Sequence, residues 1–451
     1  MDPVFAVSAS NPAEIHVFTS EDWTSAAPGG ALGAFAVASG FRGKQGQRVI
    51  APREDGSIGT VLFGIGDGKD ALALAALSAQ LPTGDYVLAR LPDGFSPVWA
   101  AAGWMDGAYR FETYVSTPTT PPRLVLPEDG ADAIAREAGA VRLLRDLVNT
   151  PAEDMGPDGI EAAIAALAKA NGADLSVVRG DDLLTQNYPM IHAVGRAGMR
   201  EPRIMELSWG ETSDPELALV GKGVAFDTGG LNIKTGDYMR IMKKDMGGAA
   251  HAIALARLVM EAKLPVRLKL YIPSVENNVA ANAFRPGDIF PTRKGLKVEI
   301  DNTDAEGRLI LCDALARACE GSPDLLIDFA TLTGAARVAV GPDLAPFYTD
   351  EDALAGALVE GGQVSGDPVW RMPLWRPYRS MLSSSIADIA NAGGRQAGSV
   401  TAAVYLAEFV NTSSWIHFDI WAWREGKYGR PSGAAATGLR AAWAMLQARY
   451  G

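Results

Sequence analysis

The chain has 451 residues, 48% of them hydrophobic and 21% charged, and a formal net charge of −12. That composition and length fit a folded protein of two domains. So acidic a chain gains nothing from a phosphate backbone, which argues against general nucleic-acid binding, and no apolar run approaches membrane-spanning length.

The first residues, MDPVFAVSAS, lack the basic and apolar segments of a secretion signal, so a cytoplasmic location is expected. Strand-like runs at Val61–Gly64 and Tyr86–Ala89 alternate with alanine-rich helical stretches. Residues 1–130 therefore read as a small N-terminal α/β domain. The glycine-rich patch from Gly64 to Lys69 follows a strand but lacks the Ser/Thr and the spacing of a P-loop, so it reads as a strand-end turn. Val115–Arg123, VSTPTTPPR, reads as a connector, and Ala131–Val148 as a bridging helix.

From 131 to 451 the chain reads as a larger α/β/α domain. Apolar runs at 217–220, 268–272, 324–330 and 415–421 predict strands, and alanine-rich stretches at 247–264, 307–319, 400–410 and 434–448 predict helices. That alternation implies a mostly parallel sheet covered on both faces. The two cysteines, Cys312 and Cys319, fall on one predicted helix. Seven helical residues span about 10 Å, too far for a disulfide, so both read as free buried thiols. The histidines His16, His192, His251 and His417 form no HExxH motif, and no GxSxG elbow occurs. His417 reads as a core residue; His251 starts the helix after Asp245, close to any site there. Neither is assigned to a metal. The late tryptophans Trp370, Trp375, Trp415, Trp421 and Trp423 suit core packing at least as well as interfaces.

Two segments carry chemistry. The first, Gly221–Ala250, is rich in glycine and holds Lys222, Asp227, Lys234 and Asp245. Lys222 and Asp227 follow the run Leu217–Val220, where a strand should give way to a loop, the usual place for a ligand site in an open α/β sheet. Asp245 alone would be an ordinary helix cap. The second segment, Asn302–Leu309, reads NTDAEGRL. If Asp304-Ala305-Glu306 is extended, its two carboxylates face one side and form half of a site for a hard or borderline dication. Gly307 would allow a tight turn, and Arg308 would place a fixed cation beside the site.

Together these segments resemble the leucyl aminopeptidase (cytosol aminopeptidase) family of dinuclear metallopeptidases. Further similarity lies at Leu147–Pro151, Ala330–Gly334, Asp388–Asn391 and His417–Ile420. The resemblance implies two divalent ions per subunit (Zn, Mn, Mg or Co) held by Lys222, Asp227, Asp245, Asp304 and Glu306, with Asp227 and Glu306 bridging. A ligating Lys222 must be neutral, which a nearby dication and a desolvated site favour. The metals would acidify a water for attack. Lys234 would polarise the scissile carbonyl, and Arg308 would hold a bicarbonate that shuttles the proton. A helix beginning near Gly307 and running to Cys319 would add its N-terminal field there. Leu332 and Gly334 would contact substrate through the backbone, and Met242 and Thr331 would line an apolar pocket for its first residue. The family acts on peptides with a free N-terminus and assembles as hexamers. Dense charge in Arg293–Asp301 also resembles the family's peptidase B-like branch, which leaves the preferred substrate open. Two rival readings are a non-catalytic scaffold on the same fold and a dinuclear hydrolase of other amides or Cys-Gly dipeptides.

Overall fold

The computed structural model describes residues 2–412, 414–426 and 430–451. The chain divides into two compact units, Met1–Arg142 with Arg424–Gly433, and Leu143–Trp423 with Ala434–Gly451. The division falls inside the helix Ala131–Asn149.

The first unit is built on six strands: β1 (Phe5–Ala6), β2 (Ala13–Phe18), β3 (Arg48–Pro52), β4 (Ile58–Gly64), β5 (Asp85–Arg90) and β6 (Arg123–Val125). They lie in the order β1-β6-β5-β2-β4-β3. β2 runs parallel to both β4 and β5, and β3 is an antiparallel edge. The Gly64–Lys69 patch is a turn at the end of β4, as its composition suggests. The proline-rich stretch 115–123 departs from expectation. It leads into β6, whose Leu124 pairs with Phe5 and Tyr86, so it is a loop inside this unit and not a link out of it. Proline spacing marks where regular structure stops but carries no information on which sheet the chain enters next.

The second unit carries the large sheet. Its strands are β7 (Asp174–Arg179), β8 (Arg203–Trp209), β9 (Glu216–Gly221), β10 (Gly223–Asp227), β11 (Arg267–Asn277), β14 (Leu325–Ala330), β15 (Ala345–Tyr348), β16 (Val369–Arg371) and β18 (Trp415–Asp419). The order is β16-β15-β18-β14-β9-β11-β8-β7, with β10 pairing β11. The centre, β18-β14-β9-β11, is parallel, and antiparallel pairs lie on both sides of it. β9 and β14 are buried along their whole length, as strands covered on both faces must be. Helix Gly247–Glu261 packs on one face of β9 and β14, and helix Gly307–Cys319 on the other side of β9 and β11. A small sheet of β12 (Ile289–Pro291), β13 (Lys297–Glu299) and β17 (Ile389–Ala390) lies in the same unit. Both cysteines are buried and unbridged. Among the described residues no helix is long and apolar enough to cross a membrane.

His417 is a core residue that pairs with a buried carboxylate. Its Nδ1 lies 2.6 Å from Asp328 Oδ1, and Trp415 Nε1 donates to Asp328 Oδ2 at 2.7 Å. Burial, the largest single effect, pushes the imidazolium down, but Asp328 and Asp419 together outweigh it, so its pKa lies above the ordinary 6.5. Protonation of His417 therefore adds stability that is complete below pH 6.5 and is lost as the pH rises through the higher folded-state value. Asp328→Asn should cost about 1–3 kcal/mol near pH 6, where the partner charge matters, and less near pH 9. Urea unfolding at the two pH values checks the difference.

Candidate metal centre

The site forms where one strand splits into two. β9 is held between β14 and β11 as far as Gly221; then β10 continues along β11 alone. Lys222 sits at that break, its N–H donating to Phe329 O at 3.0 Å and its carbonyl accepting Ala249 N–H at 2.8 Å. The expected loop after Val220 is thus a second short strand, and Asp227 is its last residue. The second bond ties the first turn of helix Gly247–Glu261 to the strand break. That helix can lie so close because Gly248 has no side chain: a Cβ there would meet Phe329 O at 2.2 Å. Asp245, at the end of a 3₁₀ stretch over Gly236–Met246, is thereby brought to Lys222.

The second segment arrives from the opposite side. The run is not extended: a turn over Asn302–Ala305 precedes Glu306, which already has helical dihedrals before the helix that starts at Gly307. The two carboxylates therefore serve different neighbours. Glu306 Oε1 lies 3.1 Å from Lys222 Nζ, while Asp304 pairs with Lys234 Nζ. Gly307 has no left-handed dihedral, so it is not needed for a turn. It is needed for space, because a Cβ there would sit 2.1 Å from Lys222 Cε. Arg308 follows on the helix, buried, with Nη1 donating to Asn391 O at 2.7 Å.

Four carboxylates and two lysines converge. Ligand oxygens of Asp227, Asp245 and Glu306 lie within 4.8 Å of one another. Lys222 Nζ pairs with Asp245 as well as Glu306 and donates to Thr331 O at 3.0 Å. Lys234 Nζ lies 2.7 Å from Asp227 Oδ2 and joins that residue to Asp304. Asp227, Asp245, Glu306 and Lys222 are all under 5% exposed. Two ammonium groups cannot balance four carboxylates, and burial together with the uncompensated repulsion raises carboxylate pKa values. Burial first, then Asp227 and Glu306, push Asp304 up to about 7. Burial and Glu306 likewise raise Asp227. A donor set of buried, mutually repelling oxygens suits divalent cations, which would neutralise it. Burial pushes the Lys222 ammonium down, but Asp245, Glu306 and Asp227 together raise it. Its neutral, ligating form therefore depends on a dication displacing the proton.

The expected substrate residues border this cluster. Thr331 donates its hydroxyl to Asp245 O at 2.9 Å, and Met242 is buried one 3₁₀ turn before Asp245. Leu332 is half-buried beside Gly307, and Gly334 is exposed at the first turn of helix Gly334–Val340. His251 takes no part. Its Nδ1 bonds Gly247 O, its Nε2 accepts Thr437 N–H, and burial lowers its pKa to about 4, so it is a neutral packing residue.

Several neighbours were given no role by the sequence, although Asn391 lies in the Asp388–Asn391 stretch noted above. Asn277, at the end of β11, donates to Asp227 Oδ1 at 2.8 Å and to Thr303 O at 3.0 Å, joining the two segments. Asn391 Oδ1 accepts the N–H groups of Asp301 and Asn302, and its Nδ2 donates to Asn302 O, which fixes the NTDAEGRL turn. Lys244, fully buried, places its ammonium 3.8 Å from the Trp421 ring, and burial brings its pKa down to about 8. For Asn277 the available signal was a polar Glu-Asn pair ending the apolar run of β11, and for Asn391 the Asp388–Asn391 stretch. Among the tryptophans, Trp415 is core, while Trp370 and Trp375 are more than half exposed.

Comparison with known proteins places the chain in a family. Residues 142–443 match the model of the cytosol aminopeptidase family, catalytic domain, and residues 17–127 match that of the M17 aminopeptidase N-terminal domain. Peptidase B of Pectobacterium atrosepticum is 41% identical over 310 residues, covering 66% of this chain and 71% of the relative. The crystal structure of cytosol aminopeptidase from Coxiella burnetii superposes with a TM-score of 0.93 at 41% identity, covering all of both chains. The bottromycin maturation enzyme BotP, in complex with Mn, gives 0.87 at 33% identity, covering 98% of this chain and 100% of that one. The chain belongs to the cytosol aminopeptidase family. It is a metal-dependent exopeptidase, a hydrolase that works as an aminopeptidase.

Proposed function

We propose that this aminopeptidase binds two divalent ions per subunit through Lys222, Asp227, Asp245, Asp304 and Glu306, and removes the first residue of peptides with a free N-terminus. The observation that carries this reading is the excess of buried carboxylates over lysines in one cluster, which two dications would balance. Bound there, the ions supply Lewis acidity and an acidified water. The oxygen-rich donors accept Zn, Mn, Mg or Co, and the Mn complex of BotP favours manganese among them.

The two lysines divide the work by exposure. Lys222 has a side chain 2% exposed and belongs to the ligand set. The side chain of Lys234 is 16% exposed, at the open edge of the cluster, and is held charged by Asp227, Glu306 and Asp304 against the effect of burial. It is the cation placed to polarise a substrate carbonyl and stabilise the oxyanion. Arg308 offers a buried guanidinium that pairs with no carboxylate among the described residues, and its Nε has no partner. Such a group suits a small planar anion, and bicarbonate held there would pass the proton from water to the leaving amine. Asp245 lies on the side where the free α-amine of the substrate would bind. Met242, Thr331, Leu332 and Gly334 would receive the first side chain and the backbone, which favours an apolar first residue. We further propose a cytoplasmic homo-hexamer.

The test compares Leu-, Glu- and Cys-Gly substrates with and without Mn²⁺, alongside an N-acetylated leucyl substrate. Metal-dependent release fastest from the leucyl substrate, with the acetylated one inert, is expected. No turnover of any substrate with saturating metal would support the scaffold reading, and cleavage of Cys-Gly alone the rival hydrolase.

A further inference from the structure

We propose that Asp419, a residue outside the metal cluster, is a positioning residue for the reaction: its carboxylate fixes the 331–334 turn against which the substrate backbone lies. The inference rests on the reading above that this turn faces substrate. Asp419 ends β18 and is fully buried. Its Oδ1 accepts two successive backbone N–H groups, Leu332 at 3.2 Å and Thr333 at 2.9 Å. Its Oδ2 accepts the hydroxyls of Thr333 at 2.6 Å and Ser399 at 2.7 Å. Ser399 in turn lies 2.6 Å from the Tyr348 hydroxyl. No ion pair within 4 Å is formed by Asp419 among the described residues; its four hydrogen bonds hold it directly, while the buried Arg308 and His417 act on it only at longer range. A buried carboxylate outside direct ion-pairing reach is costly, and an apolar residue would pack a strand end at less cost.

What the carboxylate does is visible in the turn. β14 ends at Ala330, where Ile420 N–H still reaches its carbonyl at 2.8 Å, and the chain then leaves the sheet. Asp419 grips it there. In a trans peptide plane the N–H and the preceding C=O point opposite ways. Holding Thr333 N–H inward therefore turns Leu332 C=O away from Asp419, as an acceptor for a substrate N–H. The Thr333 hydroxyl, donating to Asp419, keeps a lone pair for Ala336 N–H at 3.1 Å and so caps helix Gly334–Val340. The same grip reaches the metal ligands. Thr331, the residue before the turn, accepts Lys222 Nζ through its carbonyl and donates its hydroxyl to Asp245 O.

The test uses the full chain loaded with Mn²⁺ and four variants: Asp419→Asn, Thr333→Val, Thr333→Ser and Ser399→Ala. Thr333→Val removes one donor and keeps the shape, so it stays informative if the Asp419 variant fails to fold. Asp419→Asn and Thr333→Val should lower kcat by about 10- to 100-fold, with KM and bound metal nearly unchanged. Ser399→Ala should show a smaller loss, and Thr333→Ser should restore the rate. Wild-type kcat in both Asp419→Asn and Thr333→Val, or a loss that merely follows lost metal or lost fold, overturns the proposal. A wild-type enzyme that neither turns over nor binds a phosphinic dipeptide analogue overturns the reading of the site, and this inference with it.

Discussion

Glu306→Ala should give a folded chain whose turnover is lower by at least about a thousandfold, taking the several kcal/mol of a metal's charge stabilisation at 1.36 kcal/mol per factor of ten. Glu306 is 2% exposed, lies 3.1 Å from Lys222 Nζ and shares its cluster with Asp227 and Asp245. On the proposed ligand set its loss would remove a bridging oxygen, and no other carboxylate of NTDAEGRL would replace it, since Asp304 is turned toward Lys234. The fold should survive because the cluster repels itself: Glu306 helps to raise the pKa of both Asp227 and Asp304. Without added metal, the melting temperature should stay close to wild type; with Mn²⁺, the variant should gain less stabilisation than wild type does. Calorimetry with and without metal, beside a rate assay, checks both halves. Asp304→Ala should behave alike.

Lys234→Ala should lower kcat by about 10²- to 10³-fold, the usual cost of one oxyanion donor, with less effect on metal content. The side chain bridges Asp227 and Asp304 and supplies a fixed cation at the exposed edge. If Lys234 served only to neutralise those carboxylates, bound dications would make it redundant and the variant would be nearly as active as wild type. Metal analysis of the purified variant together with its kcat separates the two roles.

The parts of the site legible in the sequence were those written in contiguous, chemically unusual runs. Asp304, Glu306 and Arg308 lie within five positions, and the helix expected from Gly307 to Cys319 has those bounds. Strands β9 and β14 were legible because burial on both faces makes them near-continuous apolar runs, interrupted only by Glu216 at the start of β9 and Asp328 within β14. What stayed hidden depends on pairing between distant segments. Nothing local marks the split between β9 and β10, because it reflects which neighbour each half meets. Gly307 read as a turn residue, yet its lack of a side chain serves Lys222, which lies far off in sequence. Asn391 and Asp419 lie in stretches that stood out in the sequence, and Asn277 ends an apolar run, but the roles of all three come from partners on other loops.

The account stands on two ions sharing one cluster, so the most direct measurement is anomalous diffraction from crystals of the Mn²⁺-loaded protein. Two manganese peaks are predicted, ligated between them by Lys222, Asp227, Asp245, Asp304 and Glu306. A single peak, or ions bound away from these five side chains, would contradict it.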